Sequence, residues 1–395
     1  MEEKKKRDLF WLILFFIVFI NGFEAGGYQA SLYTIGQNYD LSVTSMGLFA
    51  SAELLATMLA PLILGNWADR TSKILSITIL LGLQFIASAL IIIFNVSGVF
   101  VTGVFFLGMT TSALQFISIA TLADAYPLTG KKKIGYITSM YALGALIAPL
   151  IVDMYLKAGM PWRTLFFLLE AGSAISFLCI IRTKDGAREN ASAAADTGKN
   201  PVDMSIFKIG AILLLCVIMC IYVGFENGFS FFVDTTFTDV LKSDRGKLAL
   251  SVFWAVMIPS RILVGYFAKR AKTILLCALV VIPAVTLIFS ATTDPTVAFL
   301  LCIPLGLASG SIYPCVLNIM MPFAGKKTAT ATGMITTATG IGGVIFTALT
   351  GFVGDRYGMR TAMGVLAAFY IISLISAILV IREEKIFQKP IDTVG

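Results

Sequence analysis

The chain contains no histidine, and charge is scarce: Asp, Glu, Lys and Arg together make up 13% of its 395 residues. Without imidazole there is no His-ligated metal centre, no His-based catalysis and no side chain that ordinarily titrates near neutrality. The charged fraction is about half the ~25% usual in soluble domains. Six cysteines, at positions 179, 216, 220, 277, 302 and 315, lie in apolar runs without CxxC spacing, which argues against disulfides. A phosphate-cradling Gly-x-x-x-x-Gly-Lys-Ser/Thr loop does not occur, so an ATP-driven pump is disfavoured. No nucleophile or metal-ligand constellation supports an intramembrane enzyme. No cofactor, metal or nucleic acid is expected.

Apolar residues are abundant instead. They make up 57% of the chain, and the mean hydropathy is +0.88. They fall in twelve runs, roughly 9–36, 42–66, 73–95, 98–126, 134–157 and 163–182, then 205–236, 247–268, 273–291, 296–322, 328–354 and 361–382. Each approaches or exceeds the ~20 residues a helix needs to cross ~30 Å of hydrocarbon. None shows the period-2 alternation of a barrel strand. The expected class is an all-α integral membrane protein. The first run follows Lys4–Arg7 and is too long for a cleavable signal, so it is expected to be a membrane helix. The polar stretch between the sixth and seventh runs divides the chain into expected domains at 1–182 and 205–395, with a cytosolic linker at 183–204.

Lys and Arg set the expected orientation. With the N-terminus inside, twenty-two of the thirty fall in cytosolic segments and seven outside, with Arg261 inside a span. Both termini are therefore expected in the cytosol, in a multi-pass protein of the cytoplasmic membrane. The net charge of +7 suits anionic inner-leaflet lipid. A monomer is expected.

The two halves echo one another. Gly22-Phe23-Glu24-Ala25-Gly26 returns as Gly224-Phe225-Glu226-Asn227-Gly228, at an offset of 202 residues. Gly65-Asn66-Trp67-Ala68-Asp69-Arg70 returns as Gly265-Tyr266-Phe267-Ala268-Lys269-Arg270, at 200. Pro127–Lys132 is answered by Pro322–Lys327 and Trp162–Thr164 by Met359–Thr361, at 195 and 197. Four echoes in one order at nearly constant offset predict a six-plus-six duplication with parallel halves, two bundles related by a pseudo-two-fold axis.

The loop Gly65–Lys73, the twelve runs, the linker and the duplication together resemble the major facilitator superfamily of secondary transporters. The superfamily's signature between its second and third helices is Gly-x-x-x-Asp-Arg followed by glycine and basic residues. Ser72 departs from it, as does Lys269 in the second copy. The resemblance implies that Gly65, Asp69, Arg70 and Asp124 form a gating latch whose charge-assisted hydrogen bonds break as the bundles rock. Gly144–Pro149 loosely resembles the motif of drug–proton antiporters, and reads equally as a bend in a packed helix.

Glu24 and Glu226 are the leading candidate site residues. An ionised carboxylate at bilayer depth costs at least ~2.5–3.5 kcal/mol, so these two need partners, water or a proton. An acid in the first helix also resembles proton-coupled sugar symporters of the superfamily. Glu53 either lines a cavity or faces a neighbouring helix. Tyr28 and Tyr222 lie one turn from the two glutamates; Asn227 adjoins Glu226; Gln115 and Tyr313 occupy matching places in the fourth and tenth runs; Tyr141 and Asn318 complete the set. Arg261 either snorkels to the cytosol or pairs with an acid, and is not taken as a substrate anchor. Glu170 shares a helix face with Arg163 and is expected to pair with it, while Asp153 and Asp234 are expected to reach water.

These residues predict a secondary active transporter that works by alternating access, with protons as the coupling ion. With no central arginine to clamp an anion, the expected cargo is a cationic, amphipathic or neutral polar organic solute. The alternatives are a passive facilitator, or an uptake symporter of a sugar or organic acid.

Overall fold

The computed structural model describes residues 10–125, 130–182, 208–324 and 328–387. Lys4–Arg7, the expected linker at 183–204 and the loop residues 126–129 and 325–327 lie outside the described residues.

Water is absent from the bilayer interior, so each backbone amide there must be bonded within the chain, and the helix does this locally. Among the described residues there is accordingly no strand. The first six helices are α1 (Phe10–Asn38), α2 (Val43–Arg70), α3 (Lys73–Ile93), α4 (Ser97–Ala125), α5 (Gly130–Lys157) and α6 (Thr164–Arg182). Then come α7 (Ile209–Thr235), prolonged by a π-helical turn over Thr236–Val240, and α8 (Gly246–Tyr266). A short 3₁₀ turn, Ala268–Arg270, leads into α9 (Ala271–Ala291), followed by α10 (Pro295–Ala324) and α11 (Thr328–Tyr357). Helices α12 (Met359–Ala368) and α13 (Tyr370–Phe387) are two pieces of one span, broken at Phe369. Twelve segments are long and apolar enough to cross a bilayer, matching the twelve runs read from the sequence.

The chain divides into two compact units, Met1–Leu41 with Phe49–Lys199, and Ser42–Leu48 with Asn200–Gly395. In the first, α1 packs along α5 and also meets α4 and α6, while α3 lies against α4 and α6. In the second, α7 packs along α11 and also meets α10 and α13, while α9 lies against α10 and α12. The internal repeat of the sequence is thus repeated in the helix pairing.

Glycines set how close these pairs come, as small residues do where lipid offers no hydrophobic drive for association. A Cβ added at Gly26 of α1 would stand 2.5 Å from the Ala145 carbonyl oxygen of α5. One added at Gly310 of α10 would stand 2.6 Å from the Met257 carbonyl oxygen of α8. Side-chain hydroxyls then bridge the close backbones. Ser112 donates to the Thr57 carbonyl at 3.0 Å, and Ser260 to the Leu307 carbonyl at 2.5 Å.

The first unit also holds a buried amide network absent from the sequence expectations. Asn21 donates to the Thr111 carbonyl (3.0 Å), Gln84 donates to the Asn21 side-chain oxygen (3.3 Å), and Ser173 donates to the Gln84 oxygen (2.9 Å). It ties α1, α3, α4 and α6 together. Three of these helices, α1, α3 and α4, also contribute Leu14, Ile17, Leu80, Leu81, Leu114 and Ile117 to a buried apolar core.

Two charges are placed differently from expectation. Asp234 does not reach water: it is 1% exposed and accepts from Lys247 Nζ at 2.6 Å. The π-helical turn after α7 folds the chain back so that α8 begins beside it. Arg163 does not pair with Glu170 among the described residues. Its guanidinium lies over the Trp162 ring, 4.3 Å from the centroid, and donates to the Ile91 carbonyl and Asn95. The backbone oxygens freed where α3 ends draw it toward the helix terminus. Asp153 is partly exposed as expected and pairs with Lys157 at 3.0 Å.

Two predictions follow from this packing. Gly26→Ala is expected to destabilise the detergent-solubilised protein by about 1–3 kcal/mol through overpacking. Gly82→Ala, where nothing lies within 4 Å of the new Cβ, is expected to leave it unchanged or stabilise it by up to ~1 kcal/mol. Equal melting temperatures for G26A and the parent would refute the close-approach account. Lys247→Met, which removes the cation paired with the buried Asp234, is expected to cost about 3–5 kcal/mol, read from the same unfolding curves.

Candidate functional site

Each unit gathers its own set of buried polar side chains. In the first, Glu24 of α1 is wholly buried, and neither of its carboxylate oxygens has a hydrogen-bond partner among the described residues. Glu53 of α2, 5% exposed, lies within electrostatic range of it. Tyr28, one turn along α1, is wholly buried and within range of both acids. Tight packing places these groups. Gly22 and Gly26 bracket Glu24 and hold α1 against α5, while Gly108 of α4 sits against the Glu53 backbone and side chain. Two acids with no cation among the groups acting on them make a place where a proton is the simplest means of removing charge.

The second unit is built differently. The Tyr222 hydroxyl donates to Glu226 Oε2 within α7. Arg261 of α8 lies within electrostatic range of Glu226, Tyr222 and Tyr313. The acid and two phenols are thus among its electrostatic neighbours, and it enters a cluster from which the sequence reading had left it out. Arg261 is placed by its neighbour Ser260, whose hydroxyl fixes α8 against α10. Tyr370, at the break between α12 and α13, is 1% exposed and within range of Glu226. Its hydroxyl has no hydrogen-bond partner among the described residues. The sequence reading missed it because Tyr370 sits in the last span, distant in the chain from both glutamate segments. Its place beside a helix interruption was the available signal.

The remaining candidates separate from these clusters. Asn227 donates to the Val223 carbonyl of its own helix at 3.0 Å. Asn318 is exposed and donates to the Pro314 carbonyl at 2.9 Å. Tyr141 is half-buried and packs against the apolar core of the first unit, and Gln115 is half-buried on α4. Gly65, Asp69 and Arg70 fall near the end of α2 and Asp124 near the end of α4, but their side chains lie outside the described residues.

The two clusters make different demands. Glu226 has a phenol and a guanidinium beside it, a balanced set of donors and acceptors suited to hydroxyl groups. Glu24 and Glu53 form an acid pair. The Glu226–Arg261 interaction can be measured by a double-mutant cycle using Glu226→Gln and Arg261→Gln. A coupling of about 1–3 kcal/mol in thermal stability is expected, and additivity of the two changes would show that the groups act independently.

Comparison with known proteins agrees with this architecture. The family description Major Facilitator Superfamily matches residues 14–347. The glucose/mannose transporter GlcP of Bacillus subtilis (strain 168) is 22% identical over 351 residues, covering 84% of this chain and 83% of the relative. Among solved structures, a bacterial homolog of the human lysosomal transporter Spinster, inward-facing and occupied, superposes with a TM-score of 0.76. That match has 14% identity and covers 96% of this chain and 98% of the other. The nucleoside transporter NupG gives a TM-score of 0.74 at 14% identity, covering 94% and 99%. At such identities the solved structures establish the fold alone. The family match spans most of the chain: it belongs to the Major Facilitator Superfamily, and is a transporter rather than an enzyme.

Proposed function

We propose that this member of the superfamily moves a small neutral polar solute bearing several hydroxyl groups across the cytoplasmic membrane by alternating access, coupled to protons through Glu24 and Glu53. The observation that carries the reading is the wholly buried Glu24 carboxylate, with both oxygens unbonded among the described residues and a second acid beside it. A charge held that way in hydrocarbon is costly, and a proton relieves the cost. A carboxyl that must gain and lose a proton as its surroundings change is a coupling device.

The cargo follows from the other cluster. Arg261 offsets Glu226, so the site carries little net charge to attract a cation, and the acid in turn disfavours an anion. Tyr222, Glu226, Arg261 and Tyr313 offer donors and acceptors in the mixture that polyols use. The curated relative transports glucose and mannose by name, and NupG nucleosides, both polyhydroxylated. This narrows the earlier range of cationic, amphipathic or neutral polar solutes to the last. By the Lys/Arg bias both termini are assigned to the cytosol. By resemblance, Asp69, Arg70 and Asp124 are assigned to a latch that Asp69→Asn would weaken, slowing turnover.

The test is uptake of labelled hexoses and nucleosides into proteoliposomes with an imposed pH gradient, alongside an organic cation. Glu24→Gln is expected to abolish gradient-driven accumulation while leaving downhill exchange, and Arg261→Gln to weaken solute binding by about tenfold or more. Accumulation by the parent that ignores an uncoupler would identify a passive facilitator. Undiminished accumulation by the Glu24→Gln, Glu53→Gln double variant would remove these acids from the coupling role.

A further inference from the structure

Apart from the two polar clusters, the second unit carries an open groove of about 530 Å³ between α8, α9 and α10. That is the size range of sites for small molecules. Its walls are apolar. Leu263, Phe267, Val281 and Leu307 line it and are exposed, as apolar side chains that face hydrocarbon are. The two wall serines donate inward, Ser260 to the Leu307 carbonyl and Ser311 to the Ala308 carbonyl at 2.7 Å. A polyhydroxylated solute would find little to bond along such a surface.

One end of the groove is different. Arg270 lines it and is exposed, with Lys269 exposed beside it. Both fall in the connection between the spans Gly246–Val264 and Ala271–Ala291, which puts them at the edge of the hydrocarbon. An apolar slot with cations at its water-facing mouth is complementary to one kind of molecule abundant around any membrane protein. The molecule has a hydrocarbon chain at one end and a phosphate at the other.

We infer that this groove is a binding site for an anionic phospholipid, an acyl chain lying against Leu263, Phe267 and Leu307 and the phosphate meeting Arg270. Basic pockets between membrane helices bind acidic headgroups in this way. Bidentate pairing with guanidinium gives arginine an advantage over a point charge for phosphate.

Cys277 lines the same groove and is exposed, whereas Cys216, Cys302 and Cys315 are buried. The test uses the full chain in detergent micelles with Cys179→Ser and, because Cys220 is only partly buried, Cys220→Ser, and follows the rate at which a maleimide labels Cys277. Phosphatidylglycerol is expected to slow labelling, and phosphatidylcholine to do so only at higher concentration. Inorganic phosphate alone is expected to have no effect. Arg270→Ala should raise the phosphatidylglycerol concentration needed by about fivefold, the effect of one basic residue near an anionic surface, and Arg270→Lys should recover part of it. Ala308→Leu, which narrows the slot from its wall, is expected to remove the protection with Arg270 intact. Equal protection by phosphatidylcholine, protection by phosphate alone, or protection unchanged in either R270A or A308L would each overturn the assignment.

Discussion

Hydrocarbon cannot hydrogen-bond, and most of this molecule follows from that. Helices bond their own backbones, and the polar side chains within them turn to whatever acceptor is in reach. Thr78, Thr121 and Ser176 donate to the carbonyl one turn back. Asn21, Gln84 and Ser173 bond one another across three helices, and Asp234 holds Lys247. An acid without such arrangements is conspicuous in this setting in a way it would not be in water. Glu24 stands out because, among the described residues, neither of its carboxylate oxygens has a hydrogen-bond partner.

Backbone proximity is what turns that chemistry into geometry. Where α1 and α5, or α8 and α10, approach at glycine, the helices lose freedom to rotate or slide. The groups between those contacts inherit fixed directions: Glu24 between Gly22 and Gly26, and Arg261 next to the Ser260 bridge.

The architecture was legible in the sequence to the extent that it depends on length and apolarity. Runs of twenty apolar residues state where spans lie, and the glutamate segments stand out because a carboxylate there is expensive. Which faces meet was much less legible. In a helix that is apolar all round, periodicity does not distinguish a lipid-facing side from a packed one. Nothing local to Glu53 pointed to Glu24, and nothing local to Arg261 pointed to Glu226. Asp234 lay near an expected boundary with water, and only the turn leading into α8 shows that the chain closes over it. Asn227 and Asn318 each bond a carbonyl of their own helix, as a lone amide on a membrane helix can.

The two halves descend from one pattern yet are no longer interchangeable. Position 53 has glutamate where its counterpart, 253, has phenylalanine, and Arg261 belongs to the second half alone. One copy holds two acids within electrostatic range of each other, and the other an acid with a guanidinium within that range. A chain assembled from two first halves would carry four of these acids in place of three, and would lose the guanidinium. The helix pairing is thus common to the two units, while the charges buried inside them differ.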